Sequence, residues 1–301
     1  MSHSGSRIWF QKIDSFYPHE DNILNIQKGM MDIKPLNVLG AEVSDVDLIS
    51  LSSKGSVKGI QDAIDEYKVL FFRNQNLEGE ELTNLAKRFG PPFVQPALSE
   101  KYQDLLVIET NSEKPPYLNT FHQDMTGLEE PPALFFLEGV IIPDKGGDTI
   151  WSCNETAYES LSDSMKEFLA SLKCKHSLLY YYEPIFSKWE HGQEKKLEFQ
   201  KDFPPVSHPL VRTHPHTGRK CLFVNKFFTE SVEGLEEDES QALLSFLYGV
   251  IEKPEFCVRL KWEPGTIAVW DNRCTSHYAV ADYYPQTRRL QRAAVAGEKV
   301  S

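Results

Sequence analysis

The stretch Thr120-Phe121-His122-Gln123-Asp124-Met125-Thr126-Gly127 sets a histidine and an aspartate two residues apart inside an apolar, strand-like run. Alternate residues of a β-strand share a face, so a strand here projects His122 and Asp124 side by side. Charged residues are rarely buried without a partner. The pair therefore either stabilises itself at a surface or shares something positive, such as a metal ion.

A shared metal needs a third ligand elsewhere in the chain. Of the nine histidines, His214 and His216 lie in turn-punctuated sequence (HPHTG) that reads as an exposed loop between strands. His176, His191 and His208 stand alone, and ordinary core or surface roles suit them. His277 differs, because it follows a strand in Trp270-Asp271-Asn272-Arg273-Cys274-Thr275-Ser276-His277-Tyr278 and precedes a strand carrying Arg288 and Arg292. Arg288, Leu290 and Arg292 share one strand face and Arg289 takes the other. Two guanidinium groups on an otherwise apolar strand call for anions, and the Arg fork suits carboxylates. An internal salt bridge or an exposed strand face is the plain alternative. Two imidazoles and one carboxylate match the facial triad of non-heme Fe(II) oxygenases, although zinc hydrolases use the same ligand types. The paired arginines favour a keto-acid co-substrate such as 2-oxoglutarate, one end on the metal and the far carboxylate on a fixed arginine.

The bulk properties are compatible with this. At 301 residues, 41% hydrophobic and 25% charged, the chain has the composition of a soluble globular protein of one or two domains. Its formal net charge of −12 argues against a nucleic-acid or anionic-membrane partner, since phosphate binding needs a clustered basic surface. It leaves room for a small anionic substrate held by a few converging arginines. The five cysteines are an odd number without a C-x-x-C pair, so reduced thiols in a cytoplasmic setting are expected. No signal core or run of about 18 apolar residues is present. Association into a homo-oligomer is left open by the sequence.

Residues 1–30 read as a loosely structured extension and 31–301 as one domain. Helices are expected over Val57–Lys68, Leu77–Phe89, Glu155–Leu172 and Asp238–Ile251. Strands are expected at Val69–Phe72, Ala133–Ile142, Phe256–Leu260, Thr266–Trp270 and Arg288–Val295, with a hairpin over 210–224. Tyr180 to Pro205 has no clear periodicity and reads as a long excursion of the lid or binding-loop kind. Many short strands with turn punctuation suggest a sandwich or barrel decorated by helices.

RFG (Arg88 to Gly90), FHQD, GGDTIW (Gly146 to Trp151), LFVNKFF (Leu222 to Phe228), KPEF (Lys253 to Phe256), WDNRCTSHYAVADY (Trp270 to Tyr283) and RRLQR, taken in order, resemble the taurine dioxygenase family of Fe(II)/2-oxoglutarate-dependent oxygenases. The likeness runs from about Ile33 to the C-terminus. It implies a mainly β fold with flanking helices (α+β), a double-stranded β-helix or jelly-roll barrel with the site in its mouth. It implies Fe(II) on His122, Asp124 and His277, and 2-oxoglutarate held at its distal carboxylate by Arg288 and Thr149. Arg292 would lie near the metal-side carboxylate and the substrate's acidic group. The implied reaction consumes dioxygen and 2-oxoglutarate, releases succinate and CO2, and oxidises the substrate, by default through hydroxylation.

The substrate positions depart from the taurine pattern. Gln95 and Leu98 stand where taurine-hydroxylating members have a histidine and a tyrosine, Leu118 (or, on a one-residue shift, Asn119) where an asparagine is expected, and Gly127 where many relatives have an aromatic. Phe228 keeps a pocket aromatic, and Arg292 still favours an acid. A small anionic substrate other than taurine is expected. A non-oxidative metal-dependent enzyme and a metabolite-binding barrel on the same fold are the alternatives.

Overall fold

Val69-Leu70-Phe71-Phe72 is apolar at every position and buried at every position, as a central strand covered on both faces must be. A computed structural model of the protein describes residues 31–301 apart from 37, 52–53, 96–103 and 189–190. The expected extension over residues 1–30 lies outside the described residues. Strand β3 (Val69–Phe72) sits within a seven-stranded sheet. Its other members are β1 (Asp32–Pro35), β2 (Ala41–Ser44), β4 (Leu106–Thr110), β5 (Leu134–Ile141), β13 (Ile267–Asp271) and β15 (Arg288–Val295), in the order β1-β2-β3-β13-β5-β15-β4. All pairings are antiparallel except β2 with β3.

Period-two alternation divides the side chains of this sheet into two cores. Val69, Phe71, Phe135, Leu137, Ala268 and Trp270 face Trp151, Val258 and Leu260. These last three lie on a smaller antiparallel sheet, β12 (Cys257–Leu260), β6 (Thr149–Cys153) and β14 (Thr275–Ala279), ordered β12-β6-β14. Trp151 lies between the sheets, 5.4 Å from the Phe71 ring and 5.7 Å from that of Trp270. Two facing, mainly antiparallel sheets of unequal size form the jelly-roll expected from the sequence. The opposite face, including Leu70, Phe72, Leu134, Phe136 and Val269, packs against helices α1 (Lys54–Tyr67) and α2 (Gly79–Lys87). Arg88, from the RFG motif, donates to the carbonyls of Leu48, Ile49 and Leu51 and ties the end of α2 to the preceding loop.

Two expectations are corrected. Glu155–Leu172 is two helices, α3 (Asn154–Glu159) and α4 (Asp163–Leu169), because the Ser162 hydroxyl accepts from the Met165 amide at 3.3 Å and starts a new helix. Tyr180 to Pro205 is likewise helical, with α5 (Leu178–Phe186) and α6 (Gly192–Asp202) packed through the Phe199 ring, 5.3 Å from Tyr182 and 5.2 Å from Phe186. Neither helix shows a period, since LLYYYEPIF is apolar almost throughout and GQEKKLEFQKD polar almost throughout.

Outside the small sheet, β7 (Lys173–His176), β8 (Val206–Pro209) and β11 (Thr229–Val232) form a third sheet. The expected hairpin forms as β9 (Val211–Thr213) and β10 (Lys220–Leu222). Helix α7 (Glu237–Ile251) covers this region. No helix among the described residues is long and apolar enough to cross a membrane.

Lys68 ends α1 at φ 67° and turns its side chain inward, with Nζ donating to the Asp65 and Glu66 carbonyls and lying 3.4 Å from Glu155 Oε2. Both charges are buried. Replacing one member of such a pair leaves the other uncompensated. Lys68→Met should lower stability by about 3 kcal/mol, at the modest end because Arg219 remains 3.6 Å from Glu155; urea unfolding measures it.

Candidate active site

His122 and His277 meet by a reciprocal backbone bridge, N–H of each donating to the carbonyl of the other at 3.0 and 2.8 Å. His277 lies in β14, which pairs with β6, so His122 extends the small sheet by one residue. The strand expected over Thr120–Gly127 stops there. Residues 124–127 form a turn, and Met125 has φ 59°. Asp124 therefore does not reach His122 by strand alternation; the turn and its partners bring it back.

One donor atom from each of His122, Asp124 and His277 lies within 4.8 Å of the others. The imidazole centroids are 4.2 Å apart, and His122 Nε2 is 3.5 Å from Asp124 Oδ1. His122 Nδ1 donates to the Thr120 carbonyl at 2.7 Å, which leaves the Nε2 lone pair for a metal. His277 Nδ1 is buried with no hydrogen-bond partner among the described residues. Phe227 packs on the His122 ring at 4.6 Å and Trp270 on the His277 ring at 5.2 Å.

Burial alone would raise the Asp124 carboxyl, but the Arg292 guanidinium, 2.6 Å away, outweighs it and holds it well below the usual carboxylate range. Burial, helped by His122, pushes His277 down to about 3. A carboxylate and a neutral imidazole at neutral pH have no proton to shed before taking a divalent cation. The donor set fits a facially bound metal such as Fe(II).

A second group of the same residue types shows the contrast. His214, Asp271 and Cys274 also bring donor atoms within 4.8 Å, but their lone pairs are engaged. His214 Nε2 donates to Asp271 Oδ2 at 3.0 Å, and His214 Nδ1 accepts from the His216 and Thr217 amides. Arg273 pairs with Asp271 at 2.6 Å, and burial raises the Cys274 thiol. His214 is thus buried rather than on an exposed loop, while His216 is exposed as expected.

Two of the three converging residues, His122 and Asp124, line a cavity of about 510 Å³ together with Arg288, Arg292, Gln95, Leu118 and Phe228, and His277 stands directly behind His122, its ring centroid 4.2 Å away. Arg292 donates to Asp124 Oδ2 at 2.6 Å and to Gln95 Oε1 at 2.7 Å, and Gln95 Nε2 donates to the Tyr182 hydroxyl at 3.2 Å. Arg288 is buried with no carboxylate in ion-pair range among the described residues, and its Nε has no hydrogen-bond partner there. Its guanidinium lies over the rings of Tyr283 and Trp262, at 5.7 and 5.9 Å. Burial pushes its pKa down, with Tyr283 opposing. Thr149 Oγ1 accepts from Arg288 Nη2 at 3.4 Å and from Trp262 Nε1 at 2.9 Å. Gly147, at φ 74°, makes room: a Cβ there would stand 3.1 Å from Arg288 Cδ. A buried guanidinium without a counter-ion is costly, so this end of the cavity suits an anion.

Gly127 does not line the cavity. A Cβ on it would lie 2.4 Å from the Leu178 amide nitrogen, so the glycine lets the turn pack against the start of α5. Phe227 and Asn272 were not singled out from the sequence, although both lie inside quoted motifs; Trp262 lies in none.

The family model described as "Taurine catabolism dioxygenase TauD, TfdA family" matches residues 32–294. The chain belongs to the TauD/TfdA family. Members are 2-oxoglutarate-dependent dioxygenases, and the non-oxidative and binding-only alternatives give way to an oxidoreductase. Among TauD/TfdA relatives, an alkylsulfatase from Acinetobacter baylyi is 38% identical, covering 86% of this chain and 83% of its own. An alpha-ketoglutarate-dependent sulfate ester dioxygenase from Pseudomonas putida is 32% identical, covering 89% and 90%. A crystal structure of AAD-2 in complex with Mn(II) and N-oxalylglycine superposes with a TM-score of 0.77 at 27% identity, covering 90% of this chain and 98% of that one.

Two outcomes follow from the charges. Arg288→Met should weaken 2-oxoglutarate binding about 10- to 100-fold without lowering the melting temperature of the ligand-free protein, as calorimetry and thermal shift would record. His277 has its folded pKa far below its ordinary value of 6.5, so between about 6.5 and 3 the unfolded chain binds more protons. The stability of the metal-free protein should therefore fall steadily as pH drops below about 6.5, with Asp124 adding to the loss only below its unfolded value of about 4; urea midpoints across pH check this.

Proposed function

We propose that this TauD/TfdA-family enzyme uses Fe(II), 2-oxoglutarate and dioxygen to oxidise a sulfate ester with an apolar body at the carbon bearing the ester oxygen. The observation that carries the reading is the shared cavity, in which His122 and Asp124 of the His–Asp–His cluster, a buried Arg288 without a counter-ion among the described residues and a committed Arg292 face the same space. Fe(II) held by His122, Asp124 and His277 would supply the oxidative chemistry with dioxygen and the keto acid.

The chain's own residues supply placement. Arg288 and Thr149 hold the far carboxylate of 2-oxoglutarate, which fills the missing counter-charge. Arg292 has given one N–H to Asp124 and one to Gln95, so an anion entering at this end meets its remaining N–H bonds, the Gln95 amide and the Tyr182 hydroxyl. Tyr181, Phe227 and Phe228 wall the space beside the cluster and keep water from it. This suits an apolar substrate body better than the small, zwitterionic taurine. The two relatives at 38% and 32% identity, an alkylsulfatase and a sulfate ester dioxygenase, point to the same substrate class.

Hydroxylation at the ester carbon gives a hydroxyalkyl sulfate, which collapses to an aldehyde and inorganic sulfate. One oxygen atom of dioxygen enters this product and the other enters succinate, with loss of CO2 from 2-oxoglutarate. Protein reconstituted with Fe(II) should release succinate and sulfate in equal amounts from alkyl sulfates, and much less succinate with taurine. Absence of substrate-stimulated succinate across alkyl sulfates, alkanesulfonates and aryloxyalkanoates, in protein that binds metal and 2-oxoglutarate, would defeat the proposal.

A further inference from the structure

His122 and His277 fix each other through the backbone, but Asp124 belongs to no sheet. Its peptide groups are gripped instead by one side chain. Asn272 Oδ1 accepts from the Asp124 amide at 2.9 Å, and Asn272 Nδ2 donates to the Asp124 carbonyl and the Pro132 carbonyl, both at 3.0 Å. A neighbouring strand would offer one acceptor and one donor in this way; the Asn272 carboxamide supplies both where the strand has ended.

Asn272 is 1% exposed and is itself fixed. Its amide donates to the Ala133 carbonyl at 2.8 Å, and its carbonyl accepts from Gln123 Nε2 at 2.9 Å. Gln123 Oε1 in turn accepts from Asn154 Nδ2 at 3.1 Å. Asn272 also lies on the segment that leads directly into His277. The distance between the Asp124 and His277 backbones is thereby tied to one rigid amide. Arg292 grips the same residue at the carboxylate, so the backbone is held from the turn after β13 and the side chain from strand β15.

We propose that Asn272 is a positioning residue for the metal ligand Asp124, and that it sets metal affinity through the Asp124 backbone. The inference rests on the metal-centre reading given above.

The test titrates Mn(II) into metal-free full-length protein without co-substrate and follows free Mn(II) by electron paramagnetic resonance. Asn272→Ser is too short to bridge both peptide groups, and Asn272→Asp keeps the acceptor but faces two carbonyls with an oxygen. Ser240→Ala is the control, since its buried hydroxyl accepts from the Val232 amide in the α7 region, remote from the cluster. Both Asn272 variants should bind Mn(II) about tenfold or more weakly, while Ser240→Ala keeps wild-type affinity whatever its melting temperature. Wild-type affinity in either folded Asn272 variant overturns the proposal, as does an equal loss in Ser240→Ala. If neither Asn272 variant folds, Asn272 is a determinant of the fold and the specific assignment falls. Wild-type protein that binds no Mn(II) would instead defeat the metal-centre reading itself.

Discussion

The site depends on a two-bond backbone bridge between His122 and His277. Hydrogen bonds of this kind contribute modestly to net stability, about 1 kcal/mol each. Their importance is geometric, because they join a segment without regular structure to the edge of the small sheet. The remaining features are built outward from that junction. Phe227 and Trp270 set the ring planes, Thr120 sets the His122 tautomer, and Asn272 returns Asp124 to the pair after the chain has left the sheet.

Charge is distributed unevenly around this junction, and the unevenness separates the roles of two arginines on one strand. Arg292 is neutralised within the protein by Asp124, which it helps keep ionised. Arg288 is buried against Tyr283 and Trp262 with no carboxylate beside it among the described residues. A protein retains an uncompensated buried cation only if a ligand supplies the counter-charge or its cost is spread over a stable core. The two-sheet core around Trp151 supplies such a frame, and the neighbouring Gly147 clears space for the side chain.

Much of the site was legible in the sequence because its residue types are chemically unusual in their setting. A histidine and an aspartate in an apolar run, a later histidine, and two arginines on a strand all demand partners. The structure brings His122, Asp124, Arg288 and Arg292 around one cavity, with His277 converging on the first two and Thr149 bonded to Arg288. The grounds for the first step were nonetheless incorrect, since Asp124 lies in a turn and not on a strand. The helices α5 and α6 are not legible in the sequence because each is nearly uniform in polarity and carries no period. The burial of His214 is illegible for a similar reason: a turn-rich sequence does not reveal that Asp271 lies against it.

Pattern alone determined the alternation of strands, the residues able to bind a metal, and the need for an anion at the arginine strand, because these follow from local periodicity and from the chemistry of single side chains. Tertiary structure alone decided which arginine is left without a counter-charge, that Gly127 serves packing, and that Asn272 takes the place of a strand. Each of those is a relation between segments far apart in the chain, and whether a polar group is satisfied depends on what folding places against it.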